Sequence, residues 1–285
     1  MSSLAAGMSS ITIFLFSSDG VSPLGTAFIV GYPISDKPGY IPLIVTAKHV
    51  VGDAAQIVGR FSMKQGGLTG AARYDIAELR KNGDVWEHSD DGVDLLVFRT
   101  PHFEATQYQP MSLTNIASRQ IYIEEEISPT DRIVFPCLLA NFMGSTQNYP
   151  IIRSGSIALI PDEQVPLEYK VGDRIIKTRQ QVMMIDATSI PGASGSPIFL
   201  WPGPRAKSVA YTLAGSKSWL LGVMHGFFTS PRETTEVPVQ TGTRNVFAEN
   251  SGIAIVFPSW RLLEILNSEK LKQRIKILGD QPSST

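Results

Sequence analysis

The chain has 285 residues, 25 of them basic and 26 acidic, for a net charge of −1. So balanced a charge, with no basic stripe, lacks the electrostatic footprint of a nucleic-acid-binding protein. A hydrophobic share of 43% and a charged share of 18% belong to a globular chain with a large core, and no stretch is long and apolar enough to span a bilayer.

Residues 1–10 are small and polar and read as a flexible lead-in. No basic residue precedes Lys37, and the apolar run Ile11–Phe16 is too short for the core of a signal peptide. Short β-type runs then dominate: Ile11–Phe16, Gly25–Val30, Ile41–Thr46, Gln56–Phe61, Asp94–Arg99, Arg132–Leu138, Ile151–Ile160, Gln181–Ile185, Ser196–Leu200, Trp219–Met224 and Gly252–Phe257. Most are rich in Val, Ile and Phe and bounded by Gly, Pro, Asp or Ser, which predicts strands. Many short strands with turns between them predict an all-β sandwich or pair of barrels. The polar middle, Pro101–Thr130, predicts a connection between two lobes. Phe228–Asn250, rich in Thr, Pro and Glu, predicts a long surface loop. Ser259–Leu278 places apolar residues at Leu262, Leu263, Leu266, Leu271, Ile275 and Leu278, the spacing of one amphipathic helix or two short ones, with Ser259 as cap and a frayed end beyond.

The single cysteine, Cys137, lies in the apolar run Ile133–Leu139 and reads as a buried core residue. With no second cysteine there is no internal disulfide, which favours a reducing, cytoplasmic compartment.

The chemistry concentrates in Asp186–Leu200, centred on Gly192-Ala-Ser-Gly-Ser-Pro197. A serine between glycines and before an apolar strand can sit on a sharp turn, its hydroxyl exposed and neighbouring backbone N–H groups aimed into one hole. Alone, such a stretch reads better as an ordinary Gly/Ser/Pro turn between strands. Two further residues change the weight. His49 follows the apolar run Leu43–Thr46, and Asp94 opens the run Leu95–Phe98, where burying a carboxylate is costly unless it finds donors. Asp90 and Asp91 are local rivals for Asp94, which alone abuts the strand directly. The order His, Asp, Ser is that of the chymotrypsin-type triad and differs from the subtilisin and α/β-hydrolase orders.

On these residues the chain resembles the trypsin-like serine peptidases. Thr46-Ala-Lys-His49 is similar to their histidine motif, Asp94-Leu-Leu-Val-Phe98 to their aspartate motif, and Gly192–Pro197 to their serine motif. The bacterial HtrA-type branch is the most similar. Its early Gly-rich strand resembles Gly25-Thr-Ala-Phe-Ile-Val30, its serine stretch resembles Asp186–Pro197, its late strand leading to a helix resembles Ser251–Pro258, and its Ser-x-Gly-x-Val segment resembles Ser154–Ile157 loosely.

The resemblance spans roughly residues 20 to 266. It implies a single peptidase domain over 1–285: two six-stranded antiparallel barrels, about 10–110 and 125–258, with a C-terminal helix at 259–278. It implies His49, Asp94 and Ser194 as catalytic residues, an oxyanion hole from Gly192, Ala193 and Ser194, and a pocket with Thr188 at its base and Val223, Met224, His225 and Gly226 along its wall. The substrate would be a protein or peptide, with neither metal nor cofactor, and a regulatory protein partner in a larger system fits the same class. An Asp at the pocket base underlies cleavage after Lys or Arg, so Thr188 implies that this preference is absent.

There are departures. Val50 stands where secreted members have cysteine, in keeping with a disulfide-free chain. Ala193 replaces the Asp that pairs with a newly cut N-terminus in zymogens, so activation by that pair is not expected. Ser196 replaces a glycine and adds a Cβ near the substrate. Too few residues follow the helix for a PDZ-like domain. A non-catalytic binding module on the same fold stays open beside the peptidase, since a collapsed oxyanion loop would leave a triad idle. An α/β-hydrolase esterase fits poorly, because Gly192–Ser196 lacks the second glycine of its motif and no acid-then-histidine order follows Ser194.

Overall fold

The computed structural model describes residues 4–35, 37–62, 69–101, 109–144, 148–188, 190–203, 205–207, 210–212, 217–231 and 248–280. The N-terminal lobe holds β1 (Thr12–Ser17), β2 (Pro23–Pro33), β3 (Tyr40–Thr46), β4 (Gln56–Ser62), β5 (Thr69–Asp75), β6 (Val85–Glu87), β7 (Leu96–Arg99) and β8 (Met111–Ser112). They form one curled sheet in the order β5-β4-β1-β2-β3-β7-β6, with β8 added parallel to β2. The C-terminal lobe holds β9 (Arg132–Cys137), β10 (Ile151–Leu159), β11 (Val165–Val171), β12 (Arg174–Gln180), β13 (Met183–Asp186), β14 (Pro197–Leu200), β15 (Arg205–Lys207), β16 (Ala210–Thr212), β17 (Leu220–Pro231) and β18 (Ala248–Pro258). Six of these close into a barrel, β10-β13-β18-β17-β14-β9, while β11–β12 and β15–β16 are separate two-stranded ribbons. The architecture is therefore the expected pair of barrels, one closed by hydrogen bonds and the other a curled sheet whose path ends at β5 and β6.

Alternation along the strands builds the cores. Ile13 and Leu15, Ala27 and Ile29, Ile44, Ile57, Leu96 and Phe98 fill the N-terminal lobe, and Ile133, Phe135, Ile157, Met183, Ile185, Ile198 and Val256 fill the barrel. The other faces of β2, β3 and β7 are buried too. Phe28, Val30, Leu43, Val45 and Val97 join a third cluster with Leu262, Leu266, Leu271 and Ile275 of the C-terminal helices, which explains why these strands read as unbroken apolar runs. Cys137 is a free thiol in the barrel core, and burial pushes its pKa up to about 12.

Several local expectations give way. The lead-in forms helix α1 (Leu4–Ile11), because Met8 and Ile11, three apart, bury one face; residues 1–3 lie outside the described residues. Short helices α2 (Lys48–Val51), α3 (Ile76–Lys81) and α4 (Arg119–Glu124) punctuate the connections, with Asp75 and Ser118 capping the last two. The polar loop read at Phe228–Asn250 is shorter than expected, since β17 runs on to Pro231 and β18 begins at Ala248, while 232–247 lie outside the described residues. The C-terminal pattern resolves into two helices, α5 (Ser259–Leu266) and α6 (Glu269–Asp280), and 281–285 lie outside the described residues. Ser259 does not cap α5. Its hydroxyl donates to the Ala117 carbonyl at 2.6 Å, and Ser268 is the residue whose hydroxyl accepts from the first turn of α6. Among the described residues no helix is long and apolar enough to cross a membrane.

Helix α6 is pinned to the N-terminal lobe by Asp84, which is fully buried and accepts from Arg99 Nε at 3.0 Å and from Arg274 Nε and Nη2 at 2.7 and 3.1 Å. Replacing this carboxylate with Ala leaves two partly exposed guanidinium groups that can still reach water. Asp84→Ala is therefore expected to cost about 2–3 kcal/mol, the worth of hydrogen bonds to a charged group. Urea unfolding measures the loss, and limited proteolysis should first release the C-terminal helix.

Candidate active site

The site lies where the two lobes meet, and each residue arrives by a different local device. Strand β3 ends at Thr46, Ala47 stays extended, and the four-residue α2 turns His49 outward while Val50 and Val51 anchor it in the core. Lys48, buried beside it, reaches back to Asp91, with Nζ 2.7 Å from the carbonyl and 2.9 Å from Oδ1. Asp91 is thereby engaged, and Asp90 accepts from Gly92 N and Gln180 Nε2. Asp94 alone of the three is inaccessible to solvent, and it faces His49.

Three N–H groups hold the Asp94 carboxylate. The main-chain amide of His49 donates to Oδ1 at 2.8 Å, and the Nδ1–H groups of His49 and His225 both donate to Oδ2 at 2.5 Å. Burial pushes the Asp94 pKa up, but the charge of His49 and the hydrogen bonds from His225 and His49 outweigh it and hold the carboxyl far below its ordinary range. For His49, burial pushes the pKa down, and the Asp94 charge and hydrogen bond reverse this to leave it above its ordinary value of 6.5. Among the described residues, His49, Asp94 and His225 are also the group whose ligand-type atoms, all within 4.8 Å, could hold a metal ion. In this arrangement those atoms are engaged as N–H donors and carboxylate acceptor.

Ser194 sits in the second of two successive tight turns. Ala193 N donates to Ile190 O at 3.0 Å across Pro191-Gly192, and Ser196 N donates to Ala193 O at 3.1 Å across Ser194-Gly195. Glycine is obligatory at both third positions. Gly192 has φ +96°, and Gly195 has φ +84° with its would-be Cβ only 2.0 Å from the Thr26 carbonyl. The loop is tied to both lobes. Thr26 N donates to Ser194 O at 2.9 Å, Thr26 Oγ1 donates to Gly192 O at 2.6 Å while accepting from Leu138 N, and Gly195 N donates to Met224 O at 2.8 Å. The amides of Gly192 and Ser194 donate to no acceptor among the described residues, whereas those of Ala193, Gly195 and Ser196 are all engaged. The Ser194 hydroxyl donates to the His225 carbonyl at 2.9 Å, not to His49. The His49 and His225 rings stand edge to face with centroids 5.3 Å apart, so Ser194 and His49 flank the same residue.

The remaining sequence candidates divide. Ala193 is buried in the barrel core, and Ser196 is buried too, so its side chain does not project toward a substrate as expected. Thr188 is exposed. Val223 and Met224 are buried in the two large hydrophobic clusters, His225 turns to Asp94, and only Gly226 faces open space, with nothing within 4 Å of a Cβ built there. The partnership of His225 with Asp94 escaped the sequence. Its signal is a β-bulge: Met224 pairs with Val256 and Gly226 with Ile255, leaving His225 as the extra residue, and a bulge is legible only once the strands are paired. A cavity of about 770 Å³ lies apart from this site, between α4, the start of α5 and the β12–β13 turn.

No family model matches the chain, and no curated protein matches it in sequence. Solved structures do match. The MamO protease domain from Magnetospirillum magneticum, in its apo form, aligns over 93% of this chain and 100% of its own with a TM-score of 0.52 at 13% identity. The HtrA-type protease AlgW with a decapeptide aligns over 96% of this chain and 67% of its own, at 14% identity and a TM-score of 0.48. The likeness to the MamO protease domain shows that the chain carries the two-barrel, chymotrypsin-like fold of a protease domain, the fold that its sequence resemblance to trypsin-like peptidases implied.

Proposed function

We propose that the chain is a serine endopeptidase that cleaves peptide bonds through an acyl-enzyme. The observation that carries this reading is the pairing of a buried carboxylate on His49 Nδ1 with a serine near which the amides of Gly192 and Ser194 donate to no acceptor among the described residues. With Nδ1–H given to Asp94, the His49 Nε2 lone pair is the free base. A change of the Ser194 rotamer would move its hydroxyl from the His225 carbonyl toward that base. Ser194 Oγ would then attack the substrate carbonyl as His49 takes its proton. The two unpaired amides would receive the developing oxyanion, each worth about a hundredfold or more in rate. His49 would return the proton to the leaving amine, and water would repeat the sequence to free the acid. Thr188 and the open space at Gly226 would border the pocket for the substrate side chain, and Thr188 at its base offers no carboxylate to Lys or Arg.

The second reading, an idle binding module on the same fold, draws on one observation: the Ser194 hydroxyl rests on the His225 carbonyl instead of on His49. A fluorophosphonate probe separates the two. It is expected to label Ser194 of the native protein and not of Ser194→Ala. Absence of labelling at millimolar probe over hours would overturn the peptidase reading in favour of the binding module.

A further inference from the structure

Asp94 is held by a second imidazole beside that of His49, on the same carboxylate oxygen. We propose that His225 is a positioning residue which, braced by Tyr169, fixes the carboxylate that orients His49; this rests on the reading of the site as a protease. Each oxygen of Asp94 is anchored, Oδ1 by the His49 amide and Oδ2 by the two Nδ1–H groups, so the carboxylate cannot turn without losing a donor. Because an ionised carboxylate only accepts, both rings carry hydrogen on Nδ1.

His225 is itself immobilised. As the bulged residue of β17 it points out of the barrel alternation, and its ring packs edge to face against Tyr169 at 4.8 Å and Phe257 at 5.6 Å. The Tyr169 hydroxyl donates to the Gly92 carbonyl at 3.1 Å, two residues before Asp94. The β11–β12 ribbon that carries Tyr169 is clamped at both ends to the elements bearing the triad. At its turn Asp173 N donates to Asp53 Oδ2 at 3.3 Å, just beyond α2, and at its base Gln180 Nε2 donates to Asp90 Oδ2 at 2.9 Å. A path of direct contacts thus runs from Tyr169 to His225 to Asp94 to His49. Among the described residues, the Ser194 hydroxyl bonds to the main-chain carbonyl of His225 and to neither the His225 nor the Tyr169 side chain.

The test measures kcat per active site, the sites being titrated with a fluorophosphonate. His225→Ala is expected to lower kcat per titrated site by about 10- to 100-fold, the loss of a hydrogen bond to a charged group, with KM within about twofold. His225→Asn, which keeps a side-chain donor, should recover most of it. Tyr169→Phe keeps the ring and loses the bond to Gly92, and should lower kcat per site by about 2- to 10-fold. A residue needed only for folding would lower the titre and leave kcat per site unchanged, and that result in both His225→Ala and Tyr169→Phe overturns the proposal. The His49 Nδ1–H proton, observed by NMR with ¹⁵N-labelled histidine in the Ser194→Ala background, reads the same point without activity. It should broaden or move upfield on His225→Ala. An unmoved resonance overturns the positioning role even if the chain proves to be a working protease, and a shift sustains the role even if it does not.

Discussion

Ser194→Ala is expected to lower peptide hydrolysis by about 10⁶-fold while leaving the fold in place. On the proposed mechanism the substitution removes the nucleophile and ends acyl-enzyme formation, leaving the small acceleration from substrate binding and the amide donors, which it does not touch. The structural cost is small. Among the described residues the hydroxyl makes a single hydrogen bond, to the His225 carbonyl, and the loop is held by Thr26, Met224 and its own turns. The melting temperature should move by a few degrees at most, in keeping with about 1 kcal/mol for one such bond. Steady-state cleavage of a fluorogenic peptide library by wild type and variant, with a thermal melt of each, measures both. A variant that keeps a tenth of wild-type activity would mean that another residue is the nucleophile.

Asp94→Asn is the second large effect, about 10⁴-fold in kcat. An asparagine amide that turns its NH₂ toward His49 presents donor to donor, favouring the wrong imidazole tautomer, and its neutral oxygen no longer stabilises the imidazolium. The pH profile carries a sharper signature. His49 must be neutral to act as base, so wild-type kcat/KM should rise with pH along a limb centred above 6.5, the ordinary value over which Asp94 raises it. Asp94→Asn removes both raising effects and leaves burial, so the limb should move to lower pH. Asp91→Asn, which alters a largely exposed partner of Lys48, should change kcat less than tenfold. The reverse ranking of the two variants would reassign the acid.

The same ion pair sets a stability window distinct from the activity window. The raised His49 contributes stability that is complete below 6.5 and lost as pH rises through its folded value. The lowered Asp94 contributes stability present above 3.8 and lost as pH falls through its folded value. These are one interaction seen from its two partners, and it stabilises the fold most between 3.8 and 6.5, below the pH at which the site would work.

Much of this was legible before any strand was paired. Unbroken apolar runs such as those within Ile41–Thr46 and Arg132–Leu138 marked the main strands, because a strand buried in a core must carry such residues wherever it pairs. Elements with little apolar content were missed. The β11–β12 ribbon packs one face of β11 on the core, at Val165, Leu167 and Tyr169, and exposes the residues between them, and α1 and α4 depend on burying one face against strands distant in sequence.

The order of His49, Asp94 and Ser194, their places beside strand ends, and the glycines that the serine turn requires follow from the linear chain, since backbone geometry and local burial depend on neighbouring residues. Only the folded lobes decided that Thr26 locks the serine loop, that Val223 and Met224 belong to the core, and that His225 shares the carboxylate of Asp94. Such choices hang on a bulge in one strand and on contacts between residues more than a hundred positions apart, whose energies exist only once both lobes are in place.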